Sequence, residues 1–158
     1  MRNNNSNSVT GSVVAVLILL LCMSIAVIAN LLTRPAGALN VPKGYRIVNI
    51  TLRDYAIDGP ASLPRGNYEF VVVNNGTVPH ELVMWSTKDK AAALPLEKSG
   101  KVNEESSALE STVDSGSALA PGETRILYAD LTTAGHYALV CNLPAHYRLG
   151  MHLDLAVR

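Results

Sequence analysis

The stretch Cys141-Asn-Leu-Pro-Ala-His146-Tyr-Arg-Leu-Gly-Met151 places a thiol, an imidazole and a thioether at even spacing in one short segment. Four residues separate Cys141 from His146, and four separate His146 from Met151. Pro144 and Gly150 within the segment predict a loop, since neither residue favours the interior of a helix or strand. We therefore expect the loop to curl and bring the three side chains to one point.

A thiolate, an imidazole and a thioether together suit a copper ion that changes between Cu(I) and Cu(II). Such a site needs a second imidazole, and His80, held directly after Pro79, is the candidate. We expect Cys141 to supply the strongest donor, His80 and His146 to supply neutral nitrogens, and Met151 to be a weak axial ligand.

The chain after position 44 carries the pattern of β structure. Short segments rich in β-branched or alternating residues are separated by turn signals such as Asp58-Gly59-Pro60 and Asn74-Asn75-Gly76. The predicted strands are residues 45–52, 68–73, 81–85, 125–131, 136–141 and 152–157. This spacing predicts an all-β fold, an antiparallel β-sandwich that carries its ligands in loops at one pole.

Residues 88–118 interrupt this rhythm and form a long insertion. The part from Glu104 to Asp114 contains four acidic residues and no basic one. Connections of this length inside a compact domain are usually functional or disordered. We interpret the insertion as a solvated excursion with some helical content, and an acidic docking surface is the alternative.

The N-terminal region differs from the rest of the chain. Residues 13–32 contain no charged side chain, and about 20 helical residues span the roughly 30 Å hydrocarbon core of a bilayer. We predict a transmembrane helix there, after a disordered tail at 1–12 and before a linker at 33–43. A signal peptide cleaved after Ala38 is the alternative.

Charge and cysteine content exclude several classes of function. The chain has 13 basic and 13 acidic residues, so it lacks the basic surplus expected of a nucleic-acid-binding protein. Cys22 lies inside the apolar N-terminal segment, so no disulfide within the folded domain is expected. A lone Cys141 is then either a buried filler or a metal ligand.

The residues around Cys141 carry a family resemblance. The segment from Gly135 to Met151 resembles the C-terminal copper loop of cupredoxins, the blue-copper proteins such as plastocyanin, azurin and sulfocyanin. The segments 75–83 and 121–124 resemble other parts of that family, and the resemblance covers residues 44–158. It implies a cupredoxin-like Greek-key β-sandwich, one type 1 copper ion and four ligands. The ligands carried over are His80, Cys141, His146 and Met151.

The resemblance also implies a function: transfer of single electrons between redox partner proteins, with no enzymatic turnover. Membrane-tethered members stand on the outer face of bacterial or archaeal membranes, which fits the anchor at 13–32. We therefore expect an extracytoplasmic domain whose partners are membrane-bound or extracytoplasmic. A copper-handling module for storage, delivery or sensing is the alternative, and a metal-free adhesion sandwich is a third interpretation.

Some positions depart from the family or call for another role. Glu81 follows the upstream histidine where some members have an asparagine that braces the copper loop, and Asn142 is the alternative brace.

His136 and His152 are expected to point away from the site because strand residues alternate between faces. Trp85 and Tyr137 are expected to pack in the core. An apolar rim around His146 is expected to form a docking patch, and its members are Leu143, Pro144, Ala145, Tyr147 and Leu149.

Overall fold

A computed structural model describes residues 43–158 of the chain. Within this range no helix is long and apolar enough to cross a membrane. The predicted tail, transmembrane helix and most of the linker lie outside the described residues, so those predictions stay predictions.

The described region contains nine strands arranged in two sheets. The strands are β1 (Tyr45–Arg53), β2 (Ala56–Asp58), β3 (Ser62–Leu63), β4 (Gly66–Asn74), β5 (Val83–Ser86), β6 (Glu110–Asp114), β7 (Thr124–Leu131), β8 (Gly135–Val140) and β9 (His152–Val157). One sheet has the order β2-β1-β4-β7 and the other β3-β9-β8-β5-β6. Two single turns of 3₁₀ helix, Ala91–Ala93 and Tyr147–Leu149, complete the elements. The all-β prediction is confirmed.

The pairing of the strands is not purely antiparallel, which corrects the sequence-based prediction. β1 pairs in parallel with β4, and β3 pairs in parallel with β9. The chain leaves β1 through the short β2, crosses to the second sheet at β3, and returns as β4 on the other side of β1. The strands β2, β3 and β6 were not predicted because each is short and lies among turn-forming or polar residues.

The main core lies between the two sheets. Alternate residues of the strands face inward, as Ile50 and Leu52 do on β1 and Phe70 and Val72 on β4. Cys141 and Met151 belong to the same buried cluster. The copper loop predicted from the sequence is therefore continuous with the core at both of its ends.

The insertion is packed against the domain, which corrects its interpretation as a solvated excursion. Ala91, Leu94 and Val102 are buried against the outer face of the second sheet. They form a second apolar cluster with Trp85 and Tyr147, among others. Part of the segment also joins the sheet as β6. The sequence signal was weak because the buried residues are few and widely spaced between polar ones.

Tyr147 connects the insertion to the loop between β8 and β9. Its hydroxyl accepts a hydrogen bond from the backbone N–H of Leu94 at 3.0 Å and donates one to the carbonyl of Ala91 at 2.8 Å. The ring is buried, so Tyr147 is not part of the exposed rim that the sequence suggested.

We predict that Tyr147→Phe lowers the free energy of unfolding by about 1–3 kcal/mol, because two buried backbone groups lose their partner. Urea denaturation of the metal-free protein measures this change. Limited proteolysis should show faster cleavage within residues 91–105 in the variant. Unchanged stability together with unchanged proteolysis would contradict the role of this hydroxyl.

Candidate metal centre

Two loops at one pole of the sandwich bring the predicted donor atoms together. The Nδ1 atoms of His80 and His146 lie 3.1 Å apart, and the sulfur of Cys141 lies 3.3 Å from Nδ1 of His146. In the described part of the chain, the donor atoms of these three residues all lie within 4.8 Å of one another. His80 and Cys141 are fully buried, and His146 is partly exposed.

The loop between β8 and β9 is closed by its own backbone. The N–H of Cys141 donates to the carbonyl of Met151, and the N–H of Met151 donates to the carbonyl of His146, both at 3.1 Å. Gly150 adopts a φ of 101°, a left-handed conformation that glycine permits without a steric cost. This reversal is the one expected from the sequence, and it returns Met151 to the core, where it is fully buried.

His80 is held by the neighbouring segment before β7. Its backbone exchanges two hydrogen bonds with Leu119, and the bond donated by Leu119 measures 2.6 Å. The buried amide of Asn74 donates to the carbonyls of Val78 and Leu119, each at 2.9 Å. The segment that presents the upstream imidazole is therefore fixed on both sides. Asn74 was recognised in the sequence only as part of a turn.

The sulfur of Cys141 has a backbone donor of its own. The N–H of Glu81 lies 3.4 Å from it, close enough for a hydrogen bond to sulfur. The backbone of Glu81 thus links the His80 segment to the copper loop. This link does not depend on which side chain occupies position 81. Burial raises the pKa of the Glu81 carboxyl, and a hydrogen bond from the backbone N–H of Asn142 opposes that rise.

Asn142, the alternative brace suggested by the sequence, connects the copper loop to the insertion. Its side chain accepts a hydrogen bond from the N–H of Val102 at 2.6 Å and donates to the carbonyl of Val102 at 3.0 Å. It also donates to the carboxylate of Glu104 at 2.6 Å. Asn142 therefore fastens the residue next to Cys141 to the insertion.

Four further residues, two aromatic and two histidine, lie where the sequence placed them. Trp85 and Tyr137 are buried in the two apolar clusters. His136 contacts Asp154, with 2.7 Å between Nε2 and the carboxylate. The ring of His152 packs beside Tyr147. Neither histidine belongs to the donor cluster.

The β1–β2 turn contributes two residues that the sequence analysis missed. The carboxylate of Asp54 lies 3.2 Å from Nε2 of His80, and the ring of Tyr55 meets that of His146 edge-on with 5.3 Å between centroids. The only sequence signal was a polar residue, Asp54, two positions after the end of the predicted strand 45–52. Of the residues expected to form the apolar rim around His146, Leu149, Pro144 and Ala145 are exposed and Leu143 is partly buried. Tyr55 is a further large apolar residue that is exposed.

Burial sets the protonation of the metal-free site. It raises the pKa of the Cys141 thiol, and the backbone N–H groups of Glu81 and Leu143 offset part of that rise. Burial and the neighbouring His80 lower the pKa of His146. The hydroxyl and the backbone N–H of Thr77 hold the pKa of Asp54 at about 2. The site thus favours a neutral Cys141 thiol and a neutral His146 imidazole beside an ionised Asp54 carboxylate.

The comparison with protein families decides the classification. The model of the sulfocyanin (SoxE) domain matches residues 60–158, more than half of the chain. The chain belongs to the sulfocyanin family. This assignment agrees with the resemblance to cupredoxins, and the family's cofactor is one type 1 copper ion. The donor set fits that ion, because a thiolate and two imidazoles from a dry pocket are the usual strong ligands of blue copper.

Solved structures show the same fold. Reduced auracyanin from Roseiflexus castenholzii is 18% identical with a TM-score of 0.51, over 71% of this chain and 96% of that one. Auracyanin A from Chloroflexus aurantiacus, described as a "blue" copper protein, is 21% identical with a TM-score of 0.50, over 73% and 100%. Rusticyanin from Thiobacillus ferrooxidans is 17% identical with a TM-score of 0.51, over 73% and 78%. No curated protein sequence matches the chain significantly.

We predict that the metal-free protein loses stability as the pH rises above about 9, the ordinary pKa of a thiol. The folded state holds the Cys141 proton more tightly than the unfolded state does, so above that pH the unfolded chain releases its proton first. Below it both states keep the proton and the thiol contributes no pH dependence.

Chemical denaturation between pH 7 and 10 under reducing conditions measures this effect. Tyr137 and Tyr147 also have raised pKa values, so the slope must be compared with that of Cys141→Ser, which has no thiol to ionise. Equal slopes for the two proteins would show that burial of the thiol does not raise its pKa.

Proposed function

We propose that this protein is a membrane-tethered carrier of single electrons whose copper ion is held by His80, Cys141, His146 and Met151. The observation that carries the proposal is the mutual approach of two imidazole Nδ1 atoms and one thiol sulfur within 4.8 Å. A bound copper ion supplies a one-electron couple between Cu(I) and Cu(II). Met151, buried at the end of the same loop, fits the role of weak axial ligand.

The protein residues hold this site rigid and dry. Backbone bonds close the loop around His146, and the Asn74 amide and Leu119 fix the segment of His80. Cys141 and Met151 are fully buried, which keeps water from the donors. A fixed geometry favours an electron carrier, because little rearrangement then accompanies a change of oxidation state. The same closure argues against a delivery protein, which needs ligands open to exchange.

His146 is the proposed point of electron entry and exit. It is only partly buried, whereas the side chains of the other three proposed ligands are buried. Tyr55, Leu149 and Pro144 provide apolar surface in its vicinity. We propose that a redox partner docks on this apolar surface and exchanges electrons at the His146 edge. The acidic side of the insertion is a further proposed contact, since Glu104 and Glu105 are exposed.

We predict that the full chain loaded with Cu(II) shows an intense visible band from thiolate-to-copper charge transfer. The band should bleach with a reductant and return with an oxidant. Cys141→Ser should abolish it, because the thiolate is lost. His152→Ala is the matched control: this histidine adjoins Met151 in the sequence but lies outside the donor cluster, so the band should persist.

Two results would contradict the proposal. A colourless protein that binds Cu(I) but does not retain Cu(II) would instead indicate copper handling. A chain that binds no copper in either oxidation state would exclude both functions.

The membrane tether rests on residues 13–32, which lie outside the described structure. We predict that the full chain stays in the membrane fraction after an alkaline wash, whereas a variant lacking residues 1–40 is released. The copper domain should be accessible to protease added outside intact cells. Recovery of a soluble mature protein that begins after Ala38 would show instead that the segment is a cleaved signal peptide.

A further inference from the structure

The β1–β2 turn touches both histidines of the proposed copper site without supplying a donor atom. The two residues of the turn are Asp54 and Tyr55. Asp54 Oδ1 lies 3.2 Å from Nε2 of His80, the ring nitrogen opposite the donor cluster. Tyr55 packs edge-on against the ring of His146. The turn is therefore in contact with the centre through both of its histidines.

The carboxylate of Asp54 is fixed in this position. Its Oδ1 accepts a hydrogen bond from the backbone N–H of Thr77 at 2.8 Å, and its Oδ2 accepts one from the Thr77 hydroxyl at 2.7 Å. A Cβ atom at Gly76 would collide with Asp54 Oδ1 and would lie 2.7 Å from Nε2 of His80. Gly76 thus leaves the space in which the carboxylate and the imidazole meet.

We propose that Asp54 is a positioning residue of the copper centre: it holds the His80 proton on Nε2, directs Nδ1 to the copper, and favours Cu(II) over Cu(I) by its negative charge. This inference rests on the function proposed above. A metal-ligating histidine whose second nitrogen donates to a carboxylate has a fixed tautomer and a more basic ligand atom. A negative charge beside the ligand also attracts the higher oxidation state more strongly.

A purely structural role for Asp54 is the competing explanation, because the same carboxylate anchors the Thr77 turn. Two substitutions separate the roles. Asp54→Asn keeps an oxygen that accepts from Thr77 and His80, and its amide donates to the Thr77 hydroxyl, so it removes the charge alone. Asp54→Ala removes both the charge and the hydrogen bonds.

Asp58→Asn is the matched control. Asp58 lies on the same hairpin, and Asp58→Asn changes the net charge by the same amount as Asp54→Asn. Asp58 pairs with Arg53 at 2.7 Å rather than with a histidine. A general effect of hairpin charge would appear in both variants. A specific effect through His80 would appear only at position 54.

The experiment measures the reduction potential and the Cu(II) affinity of the full-length copper-loaded variants, and the His80 tautomer in the metal-free chain by ¹⁵N NMR. We expect Asp54→Asn to raise the potential and weaken Cu(II) binding, with little change for Asp58→Asn. Asp54→Ala should lose about 10- to 100-fold in Cu(II) affinity, the usual effect of removing such a partner. Wild-type His80 should carry its proton on Nε2, and this preference should disappear in Asp54→Ala.

The outcomes that overturn the inference are distinct from failure of the copper function. Equal potentials for wild type and Asp54→Asn, or equal shifts in Asp54→Asn and Asp58→Asn, exclude the specific charge effect. A wild-type His80 protonated on Nδ1 excludes the positioning role. The His80 tautomer is measured without copper, so it tests the contact between Asp54 and His80 even if the wild-type chain shows no visible band. If Asp54→Ala fails to fold, Asp54→Asn still carries the test.

Discussion

The contact between Nδ1 of His80, Nδ1 of His146 and the sulfur of Cys141 is the constraint on which the rest of the structure depends. Burying polar atoms costs free energy unless they have partners. Here two neighbouring residues supply hydrogen-bond partners. Asp54 faces the second nitrogen of His80, and the N–H of Glu81 faces the sulfur of Cys141. A single cation can satisfy all three donors at once, so a site this dry is suited to a metal ion.

The scaffold meets this constraint from both faces of the second sheet. Cys141 and Met151 anchor the two ends of the loop in the core between the sheets. On the outer face, Tyr147 and Asn142 fasten the same loop to the insertion. The insertion is therefore part of the support of the copper loop. The loop is therefore held on two sides, by the core and by the insertion. Such support restricts movement of the donors, as the proposed electron transfer requires.

Much of the fold was readable from the sequence, and the errors share a cause. The long strands were placed to within about two residues, because alternation of buried and exposed side chains is a local signal. The insertion was misjudged because Leu94 and Val102 are buried by a surface that is distant in sequence. Tyr147 was assigned to an exposed rim because an aromatic residue beside a loop histidine carries no sign of what will cover it.

The sequence by itself determined the chemistry of the site: the thiol, imidazole and thioether at 141–151, the turn at Gly150, and His80 as the second imidazole. These depend on residue type and on spacing within a short loop. The tertiary structure alone decided which residues support the donors. Asp54 comes from the β1–β2 turn, whereas Asn74 and Gly76 come from the segment before His80. The approach of Asp54 to His80 and of Asn74 to Leu119 exists only once the sheets pack. The parallel pairing of β1 with β4 belongs here too, because strand direction depends on the path of the chain between the sheets.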